Sequence, residues 1–305
     1  MSGHLTVPAL SVVVVSFNRV PQLERCLRSL AAQLAPPNTE VIVVRKCGHE
    51  DADNMATVQA AFPEARWVNA TDGTIPRMRS RGVAASRGEV VALIEDDCVV
   101  DAQFGSALLR AHASPHVAVG GAVEPGSYRT GVDWAVYFCD YARFMLPFPA
   151  GDASVLPGNN VSYKRAVVEE LLSLGGADGL QEAFVHAAWS QSGRLMKADP
   201  QVVVRNEHSW TLAAVSSVPF HHGRAFAGQR GQNWPLPRRL AFAAAAVGLP
   251  ALHAGRILIR VVTRRRRMGQ LARALPWVAL FGLSWSAGEC VGYALGPGTS
   301  LQRWR

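Results

Sequence analysis

The stretch GEVVALIEDDCVV, residues 88–100, decides the fold. Its residues are apolar until Glu95, Asp96 and Asp97 arrive together, and the chain then turns apolar again. A continuous apolar run of this kind is typical of a strand buried on both faces of a sheet. Three adjacent carboxylates repel one another and are costly to desolvate, and a divalent cation would compensate their charge. Hard oxygen ligands suit Mg²⁺ or Mn²⁺. A solvated acidic loop is the alternative.

Strands and helices alternate in the segments before this stretch. Pro21 suits the first turn of a helix, and apolar residues recur after it at helical spacing. A later helix is expected to end at Gly88 in a left-handed conformation. The pattern predicts strands over residues 10–17, 41–44, 65–70 and 89–95, with helices over 21–34, 55–62 and 76–88. Such alternation indicates a parallel sheet covered by helices, whose ligands lie at the carboxyl ends of the strands.

Four segments follow one another in an order typical of one enzyme family. They are LSVVVVSFNR, PRMRSRGVAASRGEVVALIEDD, PGNNVSYKR and QEAFVHAAWSQSGRLMKADPQVVVRNEH, which begin at residues 10, 76, 157 and 181. Together they resemble the inverting family 2 glycosyltransferases, which have the glycosyltransferase-A fold. The resemblance implies an α/β protein: one Rossmann-like glycosyltransferase-A domain, with a mostly parallel central sheet, over residues 1–222. An apolar helical tail is expected over residues 223–305.

The resemblance implies a nucleoside-diphosphate sugar donor and a divalent cation, Mg²⁺ or Mn²⁺. Asp97 matches the last acid of the family's metal motif and is expected to hold the metal. Glu95 matches the first acid, which faces the donor's ribose or sugar, and it is a second candidate ligand. Asp96 lies between them and is assigned to the donor site. His208 matches a histidine after the last core strand and is expected to help hold the metal or the diphosphate.

The resemblance also assigns residues of the first strand and of the helix before the acids to the donor site. Phe17 matches an aromatic residue that lies against the nucleobase, and Asn18 stands beside it. Arg79 matches the arginine of an Arg-Asn pair, in which Ser80 here replaces the asparagine.

The resemblance implies a catalytic base in a carboxylate pair ahead of a helix that ends at a glycine, which is Gly193 in this sequence. An inverting transfer needs such a group to take the proton of the attacking hydroxyl. The resemblance places the family's Glu-Asp pair on Gln181 and Glu182, so Glu182 stands where the family has its catalytic aspartate. Asp178 is the reserve candidate. A helix N-terminal acid, favoured by the helix dipole, is the structural alternative for Glu182.

Asn159 and Asn160, in the segment PGNN, are expected to line the donor-sugar and acceptor side of the cleft. Their amides can donate to and accept from sugar hydroxyls. The same four residues are also favourable turn formers.

One departure concerns the end of the second strand, where the family usually has an acidic pair that contacts the nucleobase. Arg45 and Lys46 stand there in this sequence. Base recognition is therefore altered, or it moves to Glu50, Asp51 or Asp53. Arg45 is expected to meet a phosphate or an acidic acceptor.

The tail contains two apolar segments, residues 238–267 and 274–296. If both crossed a membrane, residues 264–267, all arginine, would face away from the catalytic domain, against the positive-inside preference. We expect an interfacial helix or shallow hairpin with these arginines on anionic headgroups. A single crossing by the second segment, or a helical subdomain that packs on the catalytic domain or on a second copy, are the alternatives.

Charge and cysteine content agree with this location. The formal charge is +8 and the arginines gather in the tail, which favours an anionic membrane surface over nucleic acid. Five scattered cysteines, without metal or redox spacing, indicate a reducing compartment. The N-terminal residues are expected to form a first strand rather than a targeting segment. The expected location is the cytoplasmic face of a bacterial cell membrane.

The predicted function is metal-dependent inverting transfer of a sugar to a hydroxyl of a lipid-linked or cell-envelope glycan acceptor. A nucleotidyltransferase would want a glycine-rich phosphate loop after the first strand, and SFNRVPQ has no glycine. A degenerate, non-catalytic membrane partner is the remaining alternative, supported by the lost acidic pair.

Overall fold

The computed structural model describes residues 7–17, 19–31, 39–46, 52–70 and 73–303, with the side chains of residues 52–54 excepted. The chain forms two compact units. The first comprises Met1–Gly126 and Leu146–Glu207, and the second comprises Ser127–Met145 and His208–Arg305. The units therefore divide after Glu207 rather than at residue 222, and the second unit also takes an internal segment of the chain.

The first unit is built on one sheet of nine strands among the described residues, in the order β3-β2-β1-β4-β8-β6-β9-β5, with β7 paired to β9. The strands are β1 (Leu10–Ser16), β2 (Thr39–Arg45), β3 (Arg66–Asn69), β4 (Val90–Glu95), β5 (Cys98–Val100), β6 (Ala118–Pro125), β7 (Gly151–Asp152), β8 (Asn160–Lys164) and β9 (Met196–Asn206). The pairings are parallel from β3 to β4, where the sequence predicted the alternation. Beyond β4 the sheet is mixed, since β8 is antiparallel to both β4 and β6.

Register brings the site residues to one edge of this sheet. Val15 at the end of β1 lies opposite Glu95 at the end of β4. Asn160, which opens β8, lies opposite Ile94. The residues of β1 are all buried, as are those of β4 except Glu95, so the strand ends are fixed by a packed core.

Helices cover the sheet: α1 (Val20–Ala31), α2 (Ala52–Ala61), α3 (Ile75–Ala85), α4 (Phe104–His112), α6 (Val168–Gly175) and α7 (Glu182–Gln191), with α5 in the second unit. The expected left-handed end of a helix at Gly88 is wrong. Helix α3 ends at Ala85, and Ser86 follows it in an extended conformation. Gly88 is required by close approach instead, because a Cβ there would lie 2.6 Å from the backbone nitrogen of Ser11.

The second unit is helical: α5 (Gly131–Tyr141), α8 (Leu212–Arg230), α9 (Leu236–Ala246), α10 (Leu249–Arg264) and α11 (Met268–Leu295). Its core places Tyr137 and Phe138 of α5 against Val261 of α10 and against Ala274 and Val278 of α11. Among the described residues, α11 alone is long and apolar enough to cross a membrane as one helix, and 44% of its apolar window is buried within the protein. Helices α9 and α10 pass the same test only as a pair bent by 54°.

Candidate active site

The three acids after β4 each have a different partner. Glu95 accepts a hydrogen bond from Arg79, and Asp96 accepts one from Ser16. The Oδ1 of Asp97 accepts a hydrogen bond from the thiol of Cys98 at 3.6 Å. The backbone turns at Asp96 and Asp97 before β5 begins, so successive side chains leave in different directions. Each of the three adjacent carboxylates is thus stabilised by a contact of its own.

Arg79 of α3 bridges two carboxylates that are far apart in the sequence. Its Nη2 donates to Oε1 of Glu95 and its Nη1 donates to Oε2 of Glu182, both at 2.7 Å. All three side chains are largely buried. Burial raises the pKa of Glu95 to about 7, against the opposing effect of Arg79. One cation therefore holds two desolvated acids at the carboxyl end of β4, where ligands of such sheets lie.

Glu182, the residue predicted as the base, is the first residue of α7. Its Oε1 is buried and has no hydrogen-bond partner within the part of the chain that the structure describes. Burial raises the pKa of this carboxyl, while Arg79 lowers it. Gly158 closes over the pair, since a Cβ there would lie 3.3 Å from Nη2 of Arg79 and from Oε2 of Glu182. The arrangement leaves one carboxylate oxygen able to accept a proton.

A second network explains the basic residue found after β2. The Oγ of Ser16 accepts from Nη1 of Arg45 at 2.6 Å and donates to Oδ2 of Asp96 at 2.8 Å. Arg45 also lies 3.8 Å from that oxygen, and both charged side chains are buried. Arg45 therefore meets an acid of the protein itself. The sequence showed the departure at Arg45 but not its buried partner.

We expect the variant Ser16→Ala to lower the free energy of unfolding by about 2 kcal/mol, because it removes two hydrogen bonds to charged groups in a buried site. Urea denaturation of the full chain in mild detergent measures this change. Ser106→Ala is the matched control, since the Ser106 hydroxyl is exposed and donates to the carbonyl of Gln103 in its own helix turn. Equal stabilities of the two variants would show that the network contributes nothing.

Asp97 lies beside the segment that contains Asn159. The sulfur of Cys98 lies 3.7 Å from the backbone carbonyl oxygen of Asn159. The side-chain Nδ2 of Asn159 lies 3.6 Å from the same sulfur. Burial and the charge of Asp97 raise the pKa of the Cys98 thiol well above its usual range, so it remains a donor. The Oδ1 of Asn159 is buried without a hydrogen-bond partner among the described residues. This oxygen is thus a buried acceptor that lies near Asp97.

Asn160, in contrast, serves the sheet. Its Nδ2 donates to the carbonyls of Ala122 and Val202, at 2.9 Å and 3.0 Å. The amide nitrogen that was predicted to contact sugar hydroxyls therefore donates to backbone carbonyls instead, at the bulge where β6 shifts register against β9.

The remaining predicted residues are placed differently. Phe17 follows β1 and is half-buried, and Asn18 lies outside the described residues. His208 belongs to the second unit, where its ring lies 5.6 Å from that of Trp210. No group of three His, Cys, Asp or Glu side chains that could hold a metal occurs in the described ranges. The predicted set of Asp97, Glu95 and His208 is thus not gathered as a preformed three-ligand site.

The part of the chain that contains this network is similar to known proteins. A family model described as "Glycosyltransferase like family 2" matches residues 8–215. The sequence is 29% identical over 105 residues to the "Putative glycosyltransferase EpsH" of Bacillus subtilis (strain 168). That match covers 34% of this chain and spans only 30% of the relative's length.

A solved structure shares the fold. The mannosyltransferase PcManGT from Pyrobaculum calidifontis, solved in complex with GDP-Man and Mn²⁺, has a TM-score of 0.57 at 13% identity. The superposition covers 93% of this chain and 87% of that chain. S. aureus TarS 1–349 has a TM-score of 0.49 at 13% identity, over 92% of this chain and 90% of that chain. The glycosyltransferase-A fold predicted from the sequence is confirmed.

Proposed function

Because this chain belongs to the family 2 glycosyltransferases, as its sequence resemblance implied, we propose that it transfers a sugar from a nucleoside-diphosphate sugar to an acceptor hydroxyl with inversion. The observation that carries this proposal is the position of Glu182. Arg79 holds its Oε2 at 2.7 Å, while Oε1 stays buried and without a hydrogen-bond partner among the described residues.

Glu182 acts as the general base. Its Oε1 takes the proton of the acceptor hydroxyl as that oxygen attacks the anomeric carbon from the face opposite the nucleotide. Burial raises the pKa of Glu182. This strengthens it as a base, since a base works best with a pKa near the operating pH. The hydrogen bond from Arg79 fixes the carboxylate without occupying the reacting oxygen.

The residues present fit a divalent cation that is held mainly by the donor. Mg²⁺ is commonly bound by one or two carboxylates together with substrate phosphates, so a three-residue protein set is not required. Asp97 is the proposed ligand, because it matches the last acid of the family's metal motif and stands in the turn that follows β4. The cation, Mg²⁺ or Mn²⁺, would offset the charge that develops on the leaving diphosphate. Asn159, with its buried Oδ1, is proposed to contact the donor.

The acceptor is proposed to be a lipid-linked or cell-envelope glycan at the cytoplasmic face of the membrane. Support comes from the second unit, which carries twelve of the seventeen exposed large apolar side chains of the described residues. Such a concentration of exposed apolar surface marks a membrane or protein interaction site. Association of two copies through this surface is the other arrangement that it permits.

Nucleotide binding tests the proposal. Calorimetric titration of the full chain in detergent with UDP, GDP and dTDP, with and without Mn²⁺, is expected to show metal-dependent binding of one nucleotide. Asp97→Ala should weaken that binding by about 100-fold or more, because it removes the carboxylate proposed to hold the cation.

The matched control is Asp101→Ala, which removes a carboxylate four residues further on that pairs with Arg205 at the surface. It should bind the nucleotide like the unaltered chain. If the folded protein binds none of the three nucleotides, the transferase proposal fails, and a non-catalytic membrane partner becomes the better description.

A further inference from the structure

The two units differ sharply in charge. The second unit contains fifteen arginines, no lysine and only three carboxylates, so its formal charge is +12. Since the whole chain is +8, the first unit is −4. Between Glu207 and Glu289 the chain carries no acid at all. The positive charge is thus a property of the helical unit, and α9 and α10 have no carboxylate of their own.

Helix α10 presents three different faces. With 3.6 residues per turn, Ile257 and Val261 share a buried face, at 3% and 0% exposure. A second face is apolar and exposed, and its members are Leu252 46%, Leu258 52%, Ile259 63% and Val262 50%. The third face, between these two, carries Arg256 and Arg260 one turn apart. An exposed apolar face bordered by arginines is typical of a helix that lies in a membrane interface.

Arg143 joins this basic face from the end of α5. Burial and then the charge of Arg256 lower the pKa of Arg143. Burial and then Arg143, Arg264 and Arg256 lower the pKa of Arg260. Within the described residues, Arg143, Arg256 and Arg260 form no ion pair.

Arg264 fixes the two helix ends together. Its Nη1 donates to the carbonyl of Ala142 at 2.7 Å, and its Nη2 donates to that of Arg143 at 2.8 Å. The like charges of the cluster are therefore held close together by the fold, where a bound anion would relieve their repulsion.

We propose that α10 lies in the plane of the membrane, with Leu258 and Ile259 in the interface and with Arg143, Arg256 and Arg260 bound to the phosphates of anionic lipid headgroups. This proposal deepens the membrane position of the proposed function by naming the surface and its partner. A crossing by α9 and α10 is disfavoured, because each arginine at the centre of a span costs about 3 kcal/mol. In the interface the same side chains reach phosphates directly.

Vesicle co-sedimentation of the full chain tests the proposal. The chain should bind phosphatidylcholine vesicles that contain about one third phosphatidylglycerol more tightly than vesicles of phosphatidylcholine alone, and added salt should weaken the binding. The double variant Arg256→Gln, Arg260→Gln is expected to lower the partition coefficient roughly 30-fold. The variant Leu258→Gln, Ile259→Gln is expected to lower it roughly tenfold or more.

Two controls isolate the cluster. Arg28→Gln with Arg110→Gln removes the same charge from exposed positions of the first unit and should leave vesicle binding within about twofold. Arg256→Lys with Arg260→Lys keeps the charge and should retain binding within roughly threefold.

Several outcomes would overturn the proposal. Among them are equal binding of the glutamine double variant and the unaltered chain, equal binding to the two vesicle types, and displacement by millimolar inorganic phosphate. A dimer in light scattering that dissociates in the Leu258→Gln, Ile259→Gln variant would assign the face to a second copy. Nucleotide titration of the same samples distinguishes failure of the membrane proposal from failure of the proposed function. The residues proposed for the donor site all belong to the first unit, so a loss of vesicle binding should leave nucleotide binding unchanged.

Discussion

Replacing Glu182 with glutamine is expected to lower kcat by about 1,000-fold while nucleotide binding stays unchanged. The amide keeps the size of the side chain and can still accept from Arg79, but it cannot take the proton of the acceptor hydroxyl. Glu182→Asp, which keeps the carboxylate, is expected to retain more activity than Glu182→Gln. Transfer from a radiolabelled nucleotide sugar, with nucleotide titration alongside, measures both quantities.

Asp178→Asn is the matched comparison, because Asp178 is exposed and stands four residues before Glu182. It should leave kcat within about twofold, and a loss as large as that of Glu182→Gln would move the base to Asp178. The pH profile gives a second check. Glu182 must be ionised to act, and burial raises its pKa above the usual 4.5. Activity should therefore be lost on acidification already above the usual glutamate range.

Replacing Arg79 with methionine is expected to lower the free energy of unfolding by about 3–5 kcal/mol. The substitution leaves Glu95 and Glu182 buried without the cation that they share, and breaking one partner of a buried ion pair has a cost of this size. Urea denaturation followed by near-ultraviolet circular dichroism, in the full chain, measures the change.

The double variant Arg79→Met, Glu95→Gln distinguishes charge from packing. It removes one of the two stranded charges and should recover roughly 1–2 kcal/mol of the lost stability. Arg77→Met is the control, because Arg77 is exposed on the same helix and donates to the carbonyl of Ala177. If Arg77→Met and Arg79→Met were equally destabilising, the bridge between the carboxylates would have no energetic role.

Much of the first unit could be predicted from the sequence because its signal is local. The apolar runs of β1 and β4 and the periodicity of α1 depend on neighbouring residues, and the observed elements follow them closely. The later strands were harder to predict. β8 and β6 run antiparallel, and β9 is interrupted by a bulge, so alternation alone does not foretell their order. The end of α3 was mispredicted because Gly88 is needed where the backbone passes close to Ser11 of β1, and not to end the helix.

The proposed site residues could be named from motif positions, but their hydrogen-bond partners could not. Glu95 and Glu182 could be proposed from motif positions. That Arg79 donates a hydrogen bond to both of them could not, because Arg79 and Glu182 are 103 positions apart in the sequence. Arg45 was a visible departure, yet its meaning rests on Ser16 and Asp96, which are assembled only by the pairing of strands. Asn160 illustrates the reverse case, since its suitability for sugar hydroxyls says nothing about the two carbonyls that occupy it.

The discontinuity of the second unit has a consequence for how the protein is made. Helix α5 leaves the ribosome between strands of the first unit, but the residues that cover Tyr137 and Phe138 belong to α10 and α11. At 5–20 residues per second, synthesis from the end of α5 to the end of α11 takes about 8 to 30 seconds. During that interval its aromatic face is exposed on the nascent chain, and a chaperone or the membrane must shield it until the last helices emerge.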